Sequence, residues 1–310
     1  MGGIGLLKKY LGVDLGGTNV RVAIITELGD ILEEIKRPSL ADQEPEVVLD
    51  NIIDMAKSLE QFDECSGMGL GLPGPVDTEK GCVTLSTNLN GFTGYPVIDY
   101  LKKTFDFPIY MDNDANVAGL AEALVGAGKG RKVVYYLTHS TGIGGALVVN
   151  GSVVSGRKGY AGEVGNIVID RNRVRQSDVN SLNAGAVENE ASGSAMVRKA
   201  QKLIDPSITS ARDIFILFEE GDAVATQIID EMCYDFAMML QAITHVVDPH
   251  VIVLGGGVTQ ARDLYWDRMI SYYKDLVHPQ MRDVEFKEAM LEEPGIIGAA
   301  MLCYSKENER

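Results

Sequence analysis

The stretch Asp14-Leu15-Gly16-Gly17-Thr18-Asn19 decides the fold, because a second version of it recurs further along the chain. Ahead of it, Tyr10 to Asp14 reads as a strand. Behind it Val20 to Thr26 reads as another, and Leu28-Gly29-Asp30 turns the chain into a third, short one. The later copy runs Val133 to Thr138, turns through Ser140-Thr141-Gly142-Ile143-Gly144-Gly145, returns along Ala146 to Val149 and turns again at Asn150-Gly151. Each unit is two apolar runs joined by a glycine turn, with a further hairpin signal after them. Glycine at such a turn allows positive φ and lets backbone N–H groups approach an anion. Two glycine hairpins in two related halves indicate a cleft that grips one polyphosphate from both sides.

Size and composition agree with two domains. The chain has 310 residues, 45% of them hydrophobic, which suits two soluble domains of ordinary size. No apolar run approaches the roughly 20 residues that span a bilayer, and Met1 to Leu7 is too short for a secretory signal. Cys65, Cys82, Cys233 and Cys303 are scattered without a CxxC, so neither a disulfide framework nor a cysteine zinc cage is indicated. The expectation is a cytoplasmic protein with no membrane partner. A net charge of −16 argues against nucleic acid as a partner, since phosphate backbones attract basic surfaces. The small basic group Lys129, Arg131 and Lys132 reads as a solvated loop.

Strand-like and helix-like periodicities alternate along the rest of the chain. Helices are expected over Pro45 to Ser58, within Tyr95 to Phe105, over Ala115 to Val125 and over Asp222 to Val247, with a closing helix from Gly295 to Tyr304. Short buried strands are expected at Met68 to Leu72, Ile109 to Met111 and Val251 to Leu254. The pattern is α/β. The duplication places one domain at 1–115 and a second at 116–294, with helix 295–310 returning to the first.

Three motif matches fail. Gly69-Leu70-Gly71-Leu72-Pro73-Gly74 fits G-x-G-x-x-G, but Pro75 and a polar turn stand where a dinucleotide site needs a helix. Gly128-Lys129 resembles the end of a P-loop, yet Gly130 replaces Ser/Thr and Ala123 replaces the first glycine. Asp112-Asn113-Asp114-Ala115-Asn116 begins like a calcium loop, but Val117 occupies the glycine position. Two readings of that last segment stay open. Asp112 or Asp114 caps the helix that begins at Ala115, or Asp114 faces a cleft and accepts a proton beside a bound phosphate donor.

Six ordered motifs carry a family resemblance: Asp14 to Asn19, Leu72-Pro73-Gly74-Pro75-Val76-Asp77, Asn113-Asp114-Ala115-Asn116, Thr141 to Gly145, Ala161-Gly162-Glu163-Val164-Gly165 and Val253-Leu254-Gly255-Gly256-Gly257. Together they resemble the ROK family of sugar kinases, repressors and open reading frames, from Leu11 to Ala300. The resemblance implies an actin-like ATPase (ribonuclease H-like) fold, two related domains flanking a nucleotide and sugar cleft. It implies ATP, Mg²⁺ and a hexose as ligands, and a homodimer. Asp114 matches the family's catalytic base and Asn113 a neighbouring sugar contact. Asp14 matches the carboxylate that orients Mg²⁺ through water. Gly16, Gly17, Thr18 and Asn19 match the first phosphate loop, Thr141 and Gly142 the second, and Gly256 and Gly257 the adenosine-side turn. Thr87, Asn88, Glu163 and Glu188 fall where the family contacts the sugar. Sugar binding is then expected to close the domains and limit wasteful hydrolysis.

One departure stands out. After Gly162-Glu163-Val164-Gly165 most members carry His and then a zinc-binding cysteine cluster. This chain has Asn166, and neither Cys nor His occurs from there to Glu190. Asn166, able to donate and accept, is expected to replace the imidazole as a sugar contact. The resemblance implies an ATP-dependent kinase, with glucose at its 6-hydroxyl as first choice. N-acetylhexosamine, mannose, fructose, allose or a β-glucoside are the alternatives. A non-catalytic sugar-binding regulator is disfavoured, because only Met1 to Lys9 precede Tyr10 and the chain is acidic. Since zinc ligation needs Cys, His or carboxylate side chains grouped together, elemental analysis is expected to find no stoichiometric zinc, and chelation to leave the protein folded.

Overall fold

The computed structural model describes residues 7–309; Met1 to Leu6 of the segment judged too short for a signal, and Arg310, lie outside the described residues. The chain opens with β1 (Lys9–Leu15), β2 (Asn19–Thr26), β3 (Ile31–Pro38), α1 (Pro45–Lys57) and β4 (Cys65–Leu72). A small ribbon of β5 (Val76–Asp77) and β6 (Cys82–Val83) precedes α2 (Val97–Leu101), β7 (Ile109–Asn113) and α3 (Asp114–Leu124). Then come β8 (Val133–His139), β9 (Ile143–Val149), β10 (Ser152–Val153), α4 (Val187–Ala191), α5 (Gly193–Leu203), α6 (Ala211–Glu219) and α7 (Ala223–Val247). The last elements are β11 (Val251–Gly255), α8 (Arg262–Leu276), β12 (Glu285–Glu288) and α9 (Pro294–Asn308). Among the described residues no helix is long and apolar enough to cross a membrane.

The duplication extends to whole sheets. Strand orders are β3-β2-β1-β4-β7 and β10-β9-β8-β11-β12; in both, the strands stand third, second, first, fourth, fifth by order of appearance. In the first sheet β1–β2 and β2–β3 are antiparallel, whereas β1–β4 and β4–β7 are parallel. In the second, β9–β10 is antiparallel and β11–β12 parallel. The expected turn at Asn150-Gly151 has both residues at positive φ, 52° and 79°, as a two-residue hairpin matching strand twist requires.

Contacts divide the chain into two compact units. Among the described residues the first holds 7–134, Ala146–Gly162 and 289–309; the second holds Tyr135–Gly145 and Glu163–Glu288. This differs from a break at residue 115. Helix α3 and the residues after it stay in the first unit because α3 packs on α9, β4 and β7.

In the first unit, β4 explains that packing. Met68, Leu70 and Leu72 join Leu11, Val13 and Leu15 in the core beside Val48, Leu49 and Ile52 of α1. The alternate residues of β4 are Gly67, Gly69 and Gly71, and a two-residue period puts them on the opposite face. A Cβ at Gly67 would lie 3.0 Å from Cys303 Sγ, one at Gly71 2.8 Å from Val117, and one at Gly69 would meet the Ala299 carbonyl. Gly12 of β1 faces the Ile296 carbonyl in the same way, and Gly298 of α9 faces the Val117 carbonyl of α3. Gly69 and Gly71, two of the glycines that imitate a dinucleotide signature, therefore belong to a bare face on which α9 and α3 lie close. Buried Glu122 of α3 secures the entry to α9, its carboxylate accepting from Met290 N and Leu291 N at 2.9 Å each and from Ala127 N at 2.8 Å.

The second unit centres on α7, against which α4, α5, α6 and α8 pack. Asp222 caps it, its carboxylate accepting from Val224 N and Ala225 N, and Ile228, Met232, Phe236 and Leu240 are among its buried residues.

Gly298→Ala tests the close approach. Helix propensity alone favours alanine by about 1 kcal/mol, but the methyl group would overlap the Val117 carbonyl. The expected outcome is a net loss of about 1–3 kcal/mol, read as a lower urea midpoint at unchanged slope.

Candidate active site

In the first unit the segment Asp112 to Asn116 is built by its own side chains. Asn113, not either aspartate, caps α3: its Oδ1 accepts from Ala115 N at 2.8 Å and Asn116 N at 3.4 Å. Its Nδ2 donates to the Gly74 carbonyl at 3.0 Å, so the amide expected to contact sugar also ties α3 to the turn after β4. Asp112 is buried, accepting from Asn113 N at 2.8 Å, Asn116 Nδ2 at 2.7 Å and Ser155 Oγ at 3.1 Å. That leaves Asp114 as the first residue of α3, exposed, with its Oδ1 accepting from Ala115 N at 2.8 Å. Burial nevertheless pushes its carboxyl above the ordinary value, partly offset by that N–H and by Asn113. Solvent reaches the carboxyl while protein crowds it, and crowding decides the direction.

Asp14, at the end of β1, is half-buried, and burial also raises its pKa; Arg21 opposes the shift and the charge of Asp114 adds to it. A Cβ on Gly295, in the first turn of α9, would lie 3.2 Å from Asp14 Oδ2. The turn that follows closes with Gly16 N donating to Asn19 O at 2.9 Å. Neither Gly16 nor Gly17 takes a positive φ, contrary to the conformational reason expected for them. A Cβ at Gly17 would only touch Asn88, at 3.7 Å, so nothing in the protein itself demands glycine there. Gly17, Thr18, Thr87 and Asn88 line one cavity of about 780 Å³.

In the second unit the matching turn closes with Ser140 N donating to Gly142 O at 2.9 Å. Gly142 also lacks positive φ. Its reason is space, because a Cβ would stand 2.7 Å from Glu188 Oε2. That oxygen accepts from Ile143 N at 2.8 Å and lies 3.2 Å from where a Gly165 Cβ would be. The carboxylate expected to contact sugar thus also holds the turn. Glu163 and Asn166 flank Val164-Gly165 and are exposed; Asn166 Oδ1 accepts from Asn183 N at 3.1 Å. Gly256 does take a positive φ, 98°, and a Cβ there would meet the His139 backbone. Thr141, Gly257, Arg198 and Arg212 line a cavity of about 540 Å³.

Residues 10–306 match the ROK family. The chain belongs to that family. It is 30% identical to the glucokinase of Halalkalibacterium halodurans over 97% of this chain and 96% of that one. It is 28% identical to the N-acetylmannosamine kinase of Yersinia pestis over 95% and 98%. Among solved structures, the ROK hexokinase of Thermus thermophilus superposes with a TM-score of 0.86 at 30% identity, covering 97% and 100% of the two chains. A ROK glucokinase of Streptomyces griseus in complex with glucose and AMPPNP gives 0.74 at 26%, covering 95% and 98%. The fold is that of the actin-like ATPases.

The donor set fits what the ROK fold implies. The charge of Asp114 helps to raise the pKa of Asp14, and hard oxygen donors such as Asp14 suit Mg²⁺. The cavity with Arg198 and Arg212 suits an anionic nucleotide. Among the described residues no group of three or more His, Cys, Asp or Glu is placed to hold a metal by itself.

One residue of this ROK chain escapes sequence reasoning. His139 ends β8, immediately before the second turn, and is fully buried. Its ring stacks on Phe236 at 4.5 Å, and Nε2–H donates to the Ala191 carbonyl at 2.7 Å, leaving Nδ1 without a partner. A lone histidine among apolar residues carries no pattern that would reveal this. Burial pushes its pKa from 6.5 down to about 4. The neutral ring is favoured in the folded state, so its contribution is full above pH 6.5 and lost as pH falls through about 4. Urea midpoints are expected to decline across that window, and His139→Gln to make the decline shallower.

Proposed function

We propose that the protein is an ATP-dependent hexose kinase that converts glucose to glucose 6-phosphate, with Asp114 as general base. The observation that carries this reading is Asp114 itself: an exposed carboxylate at a helix start, with a raised pKa and its neighbours Asp112 and Asn113 already committed to structure. A raised pKa at an accessible carboxylate suits proton acceptance near neutral pH. The glucokinase and hexokinase relatives support glucose. The N-acetylmannosamine kinase relative supports an N-acetylhexosamine as the second reading.

In this mechanism the sugar hydroxyl hydrogen-bonds to Asp114 while Thr87, Asn88, Asn113, Glu163, Asn166 and Glu188 orient the ring. Backbone N–H groups around Gly16 to Asn19 and at Thr141-Gly142 hold the phosphates, and Gly256-Gly257 flank the adenosine. Asp114 takes the hydroxyl proton as the sugar oxygen bonds to the γ-phosphorus and the bond to the β-phosphate oxygen breaks, releasing ADP. Asp14 would hold Mg²⁺ through water, and the ion would supply neutralisation of phosphate charge. The protein works in the cytoplasm as a homodimer.

Asp114→Asn is the test. Glucose binding by calorimetry is expected to persist, while turnover drops by about 10²–10⁴-fold. Because the folded carboxyl has a raised pKa, its ionised form costs stability at neutral pH. The variant should therefore be more stable than the parent at pH 7, the gap closing as pH falls through the raised value. Near-parental turnover would remove Asp114 from the mechanism.

A further inference from the structure

Residues 167–186 form a long loop of the second unit with one 3₁₀ turn, Arg171–Arg173, and two isolated bridges, Val168↔Ala186 and Gln176↔Asn183. Loops beyond roughly 12–15 residues with little secondary structure of their own need a specific reason to stay ordered. Here the reason is a set of asparagines. Asn180 Nδ2 donates to Asn189 Oδ1 at 2.9 Å and Asn189 Nδ2 donates back to Asn180 Oδ1 at 3.1 Å. Asn189 Nδ2 also donates to the Asn183 carbonyl at 2.8 Å, and Leu182 N donates to Asn180 Oδ1 at 3.2 Å. From the other side of the loop, Asn183 N donates to Asn166 Oδ1. Asn189 is buried and stands on α4 next to Glu188, whose carboxylate holds the second glycine turn through Ile143 N.

We propose that Asn180 and Asn189 are positioning residues: their reciprocal amide pair locks the 167–186 loop onto α4 and so sets where Asn166 and Glu188 stand for the acceptor substrate. The proposal rests on the reading of those two as acceptor contacts. The chemistry makes the pair directional. An amide is both donor and acceptor, so two facing amides satisfy each other, which no pair of carboxylates can do. An acceptor put in place of a buried donor, facing another acceptor, loses the bond and adds repulsion. Asn189 donates twice, to Asn180 and Asn183, whereas the Asn180 side chain donates once, so the two positions are unequal.

Two isosteric variants read this out. Asn189→Asp places oxygen against two acceptors; Asn180→Asp gives up one donation and keeps both bonds that it accepts. Arg171, Arg173 and Arg175 are exposed on the loop and report its opening to trypsin. Asn189→Asp is expected to be cleaved there about tenfold faster than the parent, and Asn180→Asp by a smaller factor in the same direction. With glucose as acceptor, Asn189→Asp should raise KM about tenfold while kcat changes less than threefold, a split that general destabilisation would not produce. Parental cleavage rates in both variants would overturn the amide lock. Faster cleavage with unchanged KM would overturn the positioning role. Should the parent phosphorylate no sugar at all, the kinase reading fails, and the cleavage ranking still decides the lock. If Asn189→Asp does not fold, faster cleavage of Asn180→Asp supports the lock and parental cleavage refutes it.

Discussion

The close approach of α9 to a sheet face without side chains is the constraint on which the first unit depends. Strand β4 spends every second position on glycine, and β1 contributes Gly12, so that the backbone of α9 rests against strand backbone. Dispersion contacts accumulate when atoms meet at van der Waals distance over a long strip, and a single extra methyl group removes that distance. The same closeness brings the first turn of α9 beside Asp14. The carboxylate expected to orient a metal thus stands beside a residue from the far end of the chain.

The duplicated sheets deliver different chemistry because their polar residues are spent differently. In the first unit Asp112, Asn113 and Asn116 satisfy one another and the start of α3, which frees Asp114 from structural duty. In the second, Glu188 gives an oxygen to the turn at Ile143, and asparagines hold the loop beyond it. Equivalent strand orders thus end in an exposed carboxylate, Asp114, in the first unit and in a turn held by Glu188 in the second. The buried members of both sets are fully engaged, as low-dielectric surroundings require.

Much of this was legible in the sequence because it rests on local patterns. Glycine hairpins, the period-2 run of β4 and the long apolar face of α7 all announce themselves within a few residues. The reason for the glycines did not. Gly16, Gly17 and Gly142 do not take the positive φ expected of them; only Gly142 has a steric reason, set by Glu188 far along the chain. Strand β12 went unassigned because Glu285-Phe286-Lys287-Glu288 shows a charged edge rather than an apolar alternation, and its identity comes from pairing with β11. The cap on α3 fell to Asn113 rather than its aspartate neighbours, since the choice depends on which side chain can also reach Gly74. Helices α5, α6 and α8 are not among the sequence expectations, although Ser192 caps α5 and Ser210 with Asp213 forms a capping box at the start of α6.

The location of α9 in the sequence has a consequence for biosynthesis. Strands β1 and β4 leave the ribosome long before residues 294–308 exist, and until then only α3 is there to cover part of their glycine face. The first unit can nucleate from its hairpins and α1, yet it stays unfinished through translation of the entire second unit. Non-local closure of this sort slows the last step of folding, and it exposes a bare sheet face to chaperones or to neighbouring nascent chains in the interval.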